Sequence, residues 1–189
     1  MDINKTIEGC LKRNKTAEKQ FYFHYAKKIY GICLRYSQNN QEAEDYMQDG
    51  FVKLFANLKR YNPDKGTFDA WLSRVVINNI LSEKRKKRVD RNYIAIDSEL
   101  SEKIEDTSDD ILDSSINSED LLLAIRKLPE KYRIVLNLFI FDKVSHREIG
   151  ILLNIEESSS RSRFTRAKRL LKQILLENSS ILICTTGKT

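Results

Sequence analysis

At 189 residues the chain can form one large domain or two small ones, and 41% hydrophobic with 32% charged residues is a globular balance that excludes disorder throughout. Only 6 glycines and 2 prolines are present, so there is little to build hairpins with, and apolar residues recur at three-and-four spacing, which makes the expected fold all-α. The net charge of +6 is unevenly spread: residues 1–89 carry 18 basic and 10 acidic side chains, 90–120 carry 2 and 11, and 121–189 carry 13 and 6, which excludes one uniform nucleic-acid surface.

The opening residues MDINKTIEGCLKRNK lack the apolar run of a signal peptide, and no stretch approaches the roughly 20 apolar residues that span a bilayer. A cytoplasmic protein without membrane insertion is expected. Cys10, Cys33 and Cys184 form no CxxC pair and no His cluster accompanies them, which argues against a disulfide framework or a zinc site. Cys33 reads as a small core residue.

Three long helices are predicted first. The one at about 16–38 carries Phe21, Tyr25, Ile29, Ile32, Cys33 and Tyr36 on one stripe, and the next, about 41–59, carries Ala43, Met47, Phe51, Leu54, Phe55 and Leu58. On the second, Asp45, Gln48 and Asp49 share a different face; by themselves they are equally a solvated surface. Gly50 lies mid-helix at a cost of about 1 kcal/mol relative to Ala, with nothing in the sequence to account for it. The turn YNPDKGT, residues 61–67, leads to a helix at about 67–88 with Phe68, Trp71, Leu72, Val75, Val76 and Ile80 inward and the basic run Lys84, Arg85, Lys86, Lys87, Arg88 at its end. For Trp71 core packing is the favoured reading.

Residues 90 to 120 are rich in Asp, Ser and Glu and poor in large apolar side chains, as in a flexible linker. The expected division is 1–89, an acidic linker 90–117, and 118–189. Beyond the linker come a helix at about 118–127 and a second opened by Pro129, which suits a first helical position. A third starts at Ser145, where Ser-His-Arg-Glu has capping-box spacing, and a last long one spans about 158–177.

The segment SHREIGILLNIEESSSRSRFTRAKRLL, residues 145–171, has the chemistry of a helix-turn-helix. Gly150 supplies the small residue where two helices cross, Asn154 tolerates the positive φ of the turn, and Ile149, Leu153, Ile155 and Phe164 form a shared core. Ser158, Ser159 and Ser160 open the second helix, where short hydroxyls permit close approach to phosphate. Six basic residues, Arg161, Arg163, Arg166, Lys168, Arg169 and Lys172, follow without an acidic one, a face suited to a major groove.

The C-terminal stretch, with Leu128-Pro129 and the Ser-Arg-x-x-Arg-Ala of 162–167, resembles the fourth conserved region of bacterial sigma factors. Here Asn154 stands for the family's usual Gly and Gly150 for its usual Ala, both physically mild changes, and Ser159-Ser160 for a common Thr-Val. EDYMQDGFVKLF, residues 44–55, and FDAWLSRVVINNIL, residues 68–81, are similar to the second region, and a resemblance over roughly residues 18–177 without the large third domain points to the extracytoplasmic-function (ECF) subfamily of the sigma-70 family.

The resemblance implies two small helical domains, a three-to-four-helix region 2 domain and a region 4 helix-turn-helix domain, joined by the acidic linker. It also implies a factor that directs core RNA polymerase to promoters and catalyses nothing itself, with no cofactor or metal. Asp45, Gln48 and Asp49 would dock on the clamp coiled coil of the largest polymerase subunit, and region 4 on the flap. Tyr61, Asn62, Lys65, Thr67 and Asn78 would accept a flipped base of the minus-ten element, and Lys84, Arg85, Lys87 and Arg88 the melted strand. Ser158, Ser159, Ser160, Arg161, Arg163, Arg166 and Arg169 would read duplex promoter DNA at minus thirty-five. The linker would thread the polymerase's cation-lined channel, and an anti-sigma factor would hold the protein inactive. A stand-alone helix-turn-helix regulator is the competing reading. A nuclease is disfavoured, because only His24 and His146 exist and they lie in unrelated elements.

Overall fold

The computed structural model describes the backbone of residues 2–90 and 117–186, and the side chains of 2–87 and 117–177. The acidic linker, the side chain of Arg88 and that of Cys184 lie outside the described residues. All regular structure among the described residues is helical, in two compact units that divide within the acidic segment, residues 1–96 and 97–189.

The first unit begins with a helix that the sequence reading did not anticipate, α1 (Ile3–Leu11). Asp2 caps it, accepting from the amides of Asn4 at 3.1 Å and Lys5 at 3.3 Å, and Ile7 and Cys10 are buried. The chain then reverses through Arg13 at φ 56° into α2 (Lys15–Tyr36), capped by Asn14. A Cβ on Gly9 would sit 2.5 Å from the Cβ of Ala17, so glycine is what lets α1 lie this close to α2.

In α2 all six residues of the expected stripe, Phe21, Tyr25, Ile29, Ile32, Cys33 and Tyr36, are buried. Burial pushes the Cys33 thiol up to about 12, as befits a core thiol rather than a reactive one. Helix α3 (Asn40–Asn57) buries Ala43, Tyr46, Gly50, Phe51 and Leu54. Its inward stripe is therefore rotated slightly from the expected one, with Tyr46 and Gly50 inside and Met47 and Phe55 only half-buried. Helix α4 (Phe68–Asp90) buries Phe68, Leu72, Val76, Ile77, Ile80 and Leu81, while Trp71 and Val75 are half-buried. Gly50 faces Val76 and Ile29 where α2, α3 and α4 meet. Burying each large apolar side chain here is worth about 1.5–3 kcal/mol.

The second unit contains α5 (Ser118–Lys127), α6 (Glu130–Ile140), α7 (His146–Leu153) and α8 (Glu157–Thr186). Pro129 sits just before the first turn of α6, as its N-cap. Ala124, Ile125, Leu128, Leu136, Ala167, Leu171 and Leu175 form the core, with Phe164 and Tyr132 packed against it. The inward residues of α8 therefore fall at 160, 164, 167, 171 and 175, one stripe of a 3.6-residue helix.

Candidate nucleic-acid interface

On α3, Asp45, Gln48 and Asp49 all face solvent, since Ala43, Tyr46 and Gly50 take the inward positions. The same face continues to Val52, 63% exposed, an apolar residue that the sequence reading passed over. Its signal was available, because Val52 lies three and four residues beyond Asp49 and Gln48.

After α3 a short 3₁₀ turn, Leu58–Arg60, leads into the loop. Tyr61 is half-buried, packed edge-on to Phe68 with ring centroids 5.0 Å apart and against Trp71 at 5.6 Å. Its hydroxyl donates to the Gly66 carbonyl at 3.4 Å, and Gly66 adopts φ 136°, a conformation that favours glycine. Asn62, Lys65 and Thr67 are exposed. Asn62 accepts from the Asp64 amide at 2.9 Å and Thr67 from the Ala70 amide at 3.3 Å, which sets the start of α4. Asn78 is exposed on α4. Trp71 packs with Tyr61 and the buried Phe68 in an aromatic cluster and is itself half-buried.

The basic end of α4 divides. Arg85, Lys86 and Lys87 are exposed, whereas Lys84 is buried at 6% exposure, 3.9 Å from the Glu42 carboxylate. Lys84 thus departs from the expected strand-contacting set. The reason lies in the period: Phe68, Leu72, Val76 and Ile80 step by four, and the next step is 84.

The helix-turn-helix has the expected local chemistry. Ser145 Oγ accepts from the Glu148 amide at 3.3 Å and the Glu148 carboxylate accepts from the Ser145 amide at 3.0 Å, a complete capping box at the start of α7. Asn154 closes α7 in the left-handed region at φ 54°, ψ 52°. At Gly150 an added Cβ would stand 2.8 Å from the Ile155 carbonyl oxygen, so the close approach involves the backbone of the turn itself. The family's usual Ala would require this turn to move; the exchange is not mild in this chain.

Helix α8 opens at Glu157 rather than Ser158. Ser158 is exposed and Ser159 half-buried, but Ser160 is fully buried and cannot face a phosphate. Its Oγ is 2.9 Å from His146 Nδ1, and the His146 ring stacks on Phe139 with centroids 4.3 Å apart. This corrects the expectation for Ser160, which begins the inward stripe of α8. Arg161 and Arg169 are exposed, and Arg163 and Arg166 half-buried. Arg161 is paired with Glu157 at 2.6 Å. Ile149 is fully buried, while Leu153, Ile155 and Phe164 are half-buried.

No group of three or more His, Cys, Asp or Glu residues capable of holding a metal ion occurs among the described residues. Nor is any helix among them long and apolar enough to cross a membrane.

Comparison with known proteins places this geometry. Residues 21–89 match Sigma-70 region 2, and residues 118–171 match Sigma-70 region 4. Over 185 residues the chain is 30% identical to the ECF RNA polymerase sigma factor SigW of Bacillus subtilis, covering 93% of this chain and 97% of that protein. It is 29% identical over 157 residues to the ECF RNA polymerase sigma factor SigE of Mycolicibacterium smegmatis, covering 82% of this chain and 60% of that longer protein. A solved structure of the sigma factor RpoE with the anti-sigma factor NepR from Bartonella quintana superimposes with a TM-score of 0.53 at 21% identity, covering 83% of this chain and 95% of that one, a likeness of fold. The chain belongs to the ECF subfamily of sigma-70 RNA polymerase sigma factors. It is a DNA-binding initiation factor that brings core RNA polymerase to promoters.

Proposed function

We propose that the two units divide promoter recognition between them, the first (residues 1–89) docking on core polymerase and opening the minus-ten element, the second (residues 118–189) reading the minus-thirty-five element. Asp45, Gln48 and Asp49, with Val52 beside them, dock on the clamp coiled coil. The Tyr61–Thr67 loop and Asn78 receive an unstacked base, for which the half-exposed Tyr61–Trp71 cluster offers a stacking edge. Arg85, Lys87 and Arg88 contact the freed strand. In the second unit Ser158, Ser159, Arg161, Arg163, Arg166 and Arg169 present the DNA-facing side of α8, and the unit also meets the flap.

The observation that supports this reading most directly is that one chain carries both an exposed Asp45–Gln48–Asp49 face and a helix-turn-helix bent at Asn154. A stand-alone regulator needs only the second. The acidic stretch 90–117 would occupy the polymerase's cation-lined channel. The protein acts in the cytoplasm and contributes no catalytic group of its own. As the RpoE relative was solved with an anti-sigma factor, this chain too is held inactive by one.

The test is reconstitution: the full chain with core polymerase should co-elute and drive run-off transcription from a cognate promoter. Failure of the folded chain to bind core enzyme, or tight palindrome binding in its absence, would overturn the reading.

A further inference from the structure

The carboxylate of Glu42, in the first turn of α3, collects partners from two helices. It accepts from the Tyr46 hydroxyl at 2.7 Å and from the Gln38 amide at 2.7 Å. Lys87 Nζ lies 3.6 Å and Lys84 Nζ 3.9 Å from its Oε1. The same two ammonium groups stand over the Tyr46 ring, 5.3 and 5.5 Å from its centroid. One anion and one aromatic face on α3 therefore hold two like charges one turn apart on α4. The carboxylate offsets the mild repulsion of the two ammonium groups, and the ring attracts both. Burial alone would raise the Glu42 carboxyl, but the Tyr46 and Gln38 hydrogen bonds and the two lysines outweigh it and hold the group below its ordinary range.

We propose that Glu42 and Tyr46 form a positioning clamp that fixes the basic end of α4 to the polymerase-facing helix α3, so that Arg85 and Lys87 meet promoter DNA from a set direction. The inference rests on the strand-contacting reading of that basic segment. Lys84 is sequestered in the clamp, whereas Lys87 is exposed, with its ammonium shared between the clamp and the surface. Tyr46 adjoins Asp45 in sequence, so the residue that orients the DNA-binding end is one position from the docking face. A single exposed ion pair would do little. Here the carboxylate is mostly buried and both lysines also stand over the Tyr46 ring, which couples the two helices as a unit.

The experiment uses the full chain in holoenzyme. Glu42→Gln removes the charge and keeps one acceptor oxygen, for the Gln38 amide, while its NH2 takes the place of the oxygen facing Tyr46, whose hydroxyl can accept from it. Affinity for core polymerase should stay within about twofold of the parent, while permanganate-detected promoter opening falls roughly fivefold. In a Lys87→Gln background, Glu42→Gln should add little further loss. Tyr46→Phe, which keeps the ring and the charge but not the hydroxyl, should lose opening in the same direction by less, and serves if Glu42→Gln folds poorly. Arg85→Gln separates the two ideas. If Arg85→Gln opens the promoter like the parent, the strand-contacting reading falls and the clamp with it. If Arg85→Gln is defective while Glu42→Gln and Tyr46→Phe open normally, the clamp alone is refuted. A loss of core affinity in step with opening would also refute it, since that marks general damage to α3.

Discussion

His146 Nδ1 and Ser160 Oγ lie 2.9 Å apart inside the second unit, joining the first residue of α7 to the first turn of α8. The His146 ring is stacked on Phe139 and packed against Phe164, with its centroid 5.6 Å from the latter. Burial lowers its pKa below the usual histidine value, Arg161 lowers it further, and Glu157 opposes them. In the unfolded chain the group titrates near its ordinary pKa, so between the two values the unfolded state binds more protons. The contribution of His146 is therefore complete above pH about 6.5 and is lost as pH falls through the lower folded value. Urea unfolding of the parent and of His146→Gln, followed from pH 8 to pH 5, should show their stability difference shrinking with acid. A difference that grows with acid would contradict this sign.

Two helical glycines should respond oppositely to alanine. At Gly50 the nearest atoms to an added Cβ would be Val76 and Ile29 side-chain carbons at 3.6–3.9 Å, ordinary contact. Gly50→Ala should therefore raise stability by about 0.5–1 kcal/mol, the propensity difference between the two residues. At Gly150 the Cβ would press on the Ile155 carbonyl oxygen at 2.8 Å. Gly150→Ala should lower stability by about 1–3 kcal/mol and weaken promoter binding as the turn shifts. Denaturant midpoints of the two variants decide both signs.

These glycines also show where the sequence stops being legible. Periodicity revealed the all-helical fold, the buried stripe of α2 and the start of α7, because side-chain spacing and capping are local. The Asn154 bend was legible for the same reason. Gly50 could not be read, since its fit depends on Val76 and Ile29, distant in sequence. Helix α1 was overlooked although Asp2 as cap and Ile3, Ile7 and Cys10 at helical spacing were visible; its closeness to α2 through Gly9 and Ala17 was not. Lys84 and Ser160 were assigned to DNA from their type, when each continues an apolar stripe by one more step of four.

Asn154 holds φ 54° at the end of α7, where a β-branched residue would be strained. Asn154→Gly should be neutral or stabilising by a few tenths of a kcal/mol, and Asn154→Val should cost about 1–2 kcal/mol. Both are read from thermal unfolding. Parity of the valine variant with the parent would show that the turn does not need this conformation.

Arg161 is the residue through which the proposed DNA-facing side of α8 is most directly tested. Its side chain is 65% exposed, and its Glu157 partner lies one turn before it on the same helix. An exposed pair of this kind contributes at most about 0.5 kcal/mol to stability, so Arg161→Ala should leave the unfolding midpoint nearly unchanged. If the guanidinium leaves Glu157 to meet a phosphate, the variant should bind promoter DNA more weakly and uniformly across sequences, and the slope of log K against log salt should fall by about 1. A guanidinium reading a base instead would relax the sequence preference at one position and leave the slope close to that of the parent. Glu157→Gln supplies the complementary measurement: with its partner neutralised, Arg161 is released toward DNA, and affinity at low salt should rise. Should Arg161→Ala change neither affinity nor slope in holoenzyme, the DNA-facing side of α8 would have to be assigned to Arg163, Arg166 and Arg169 alone.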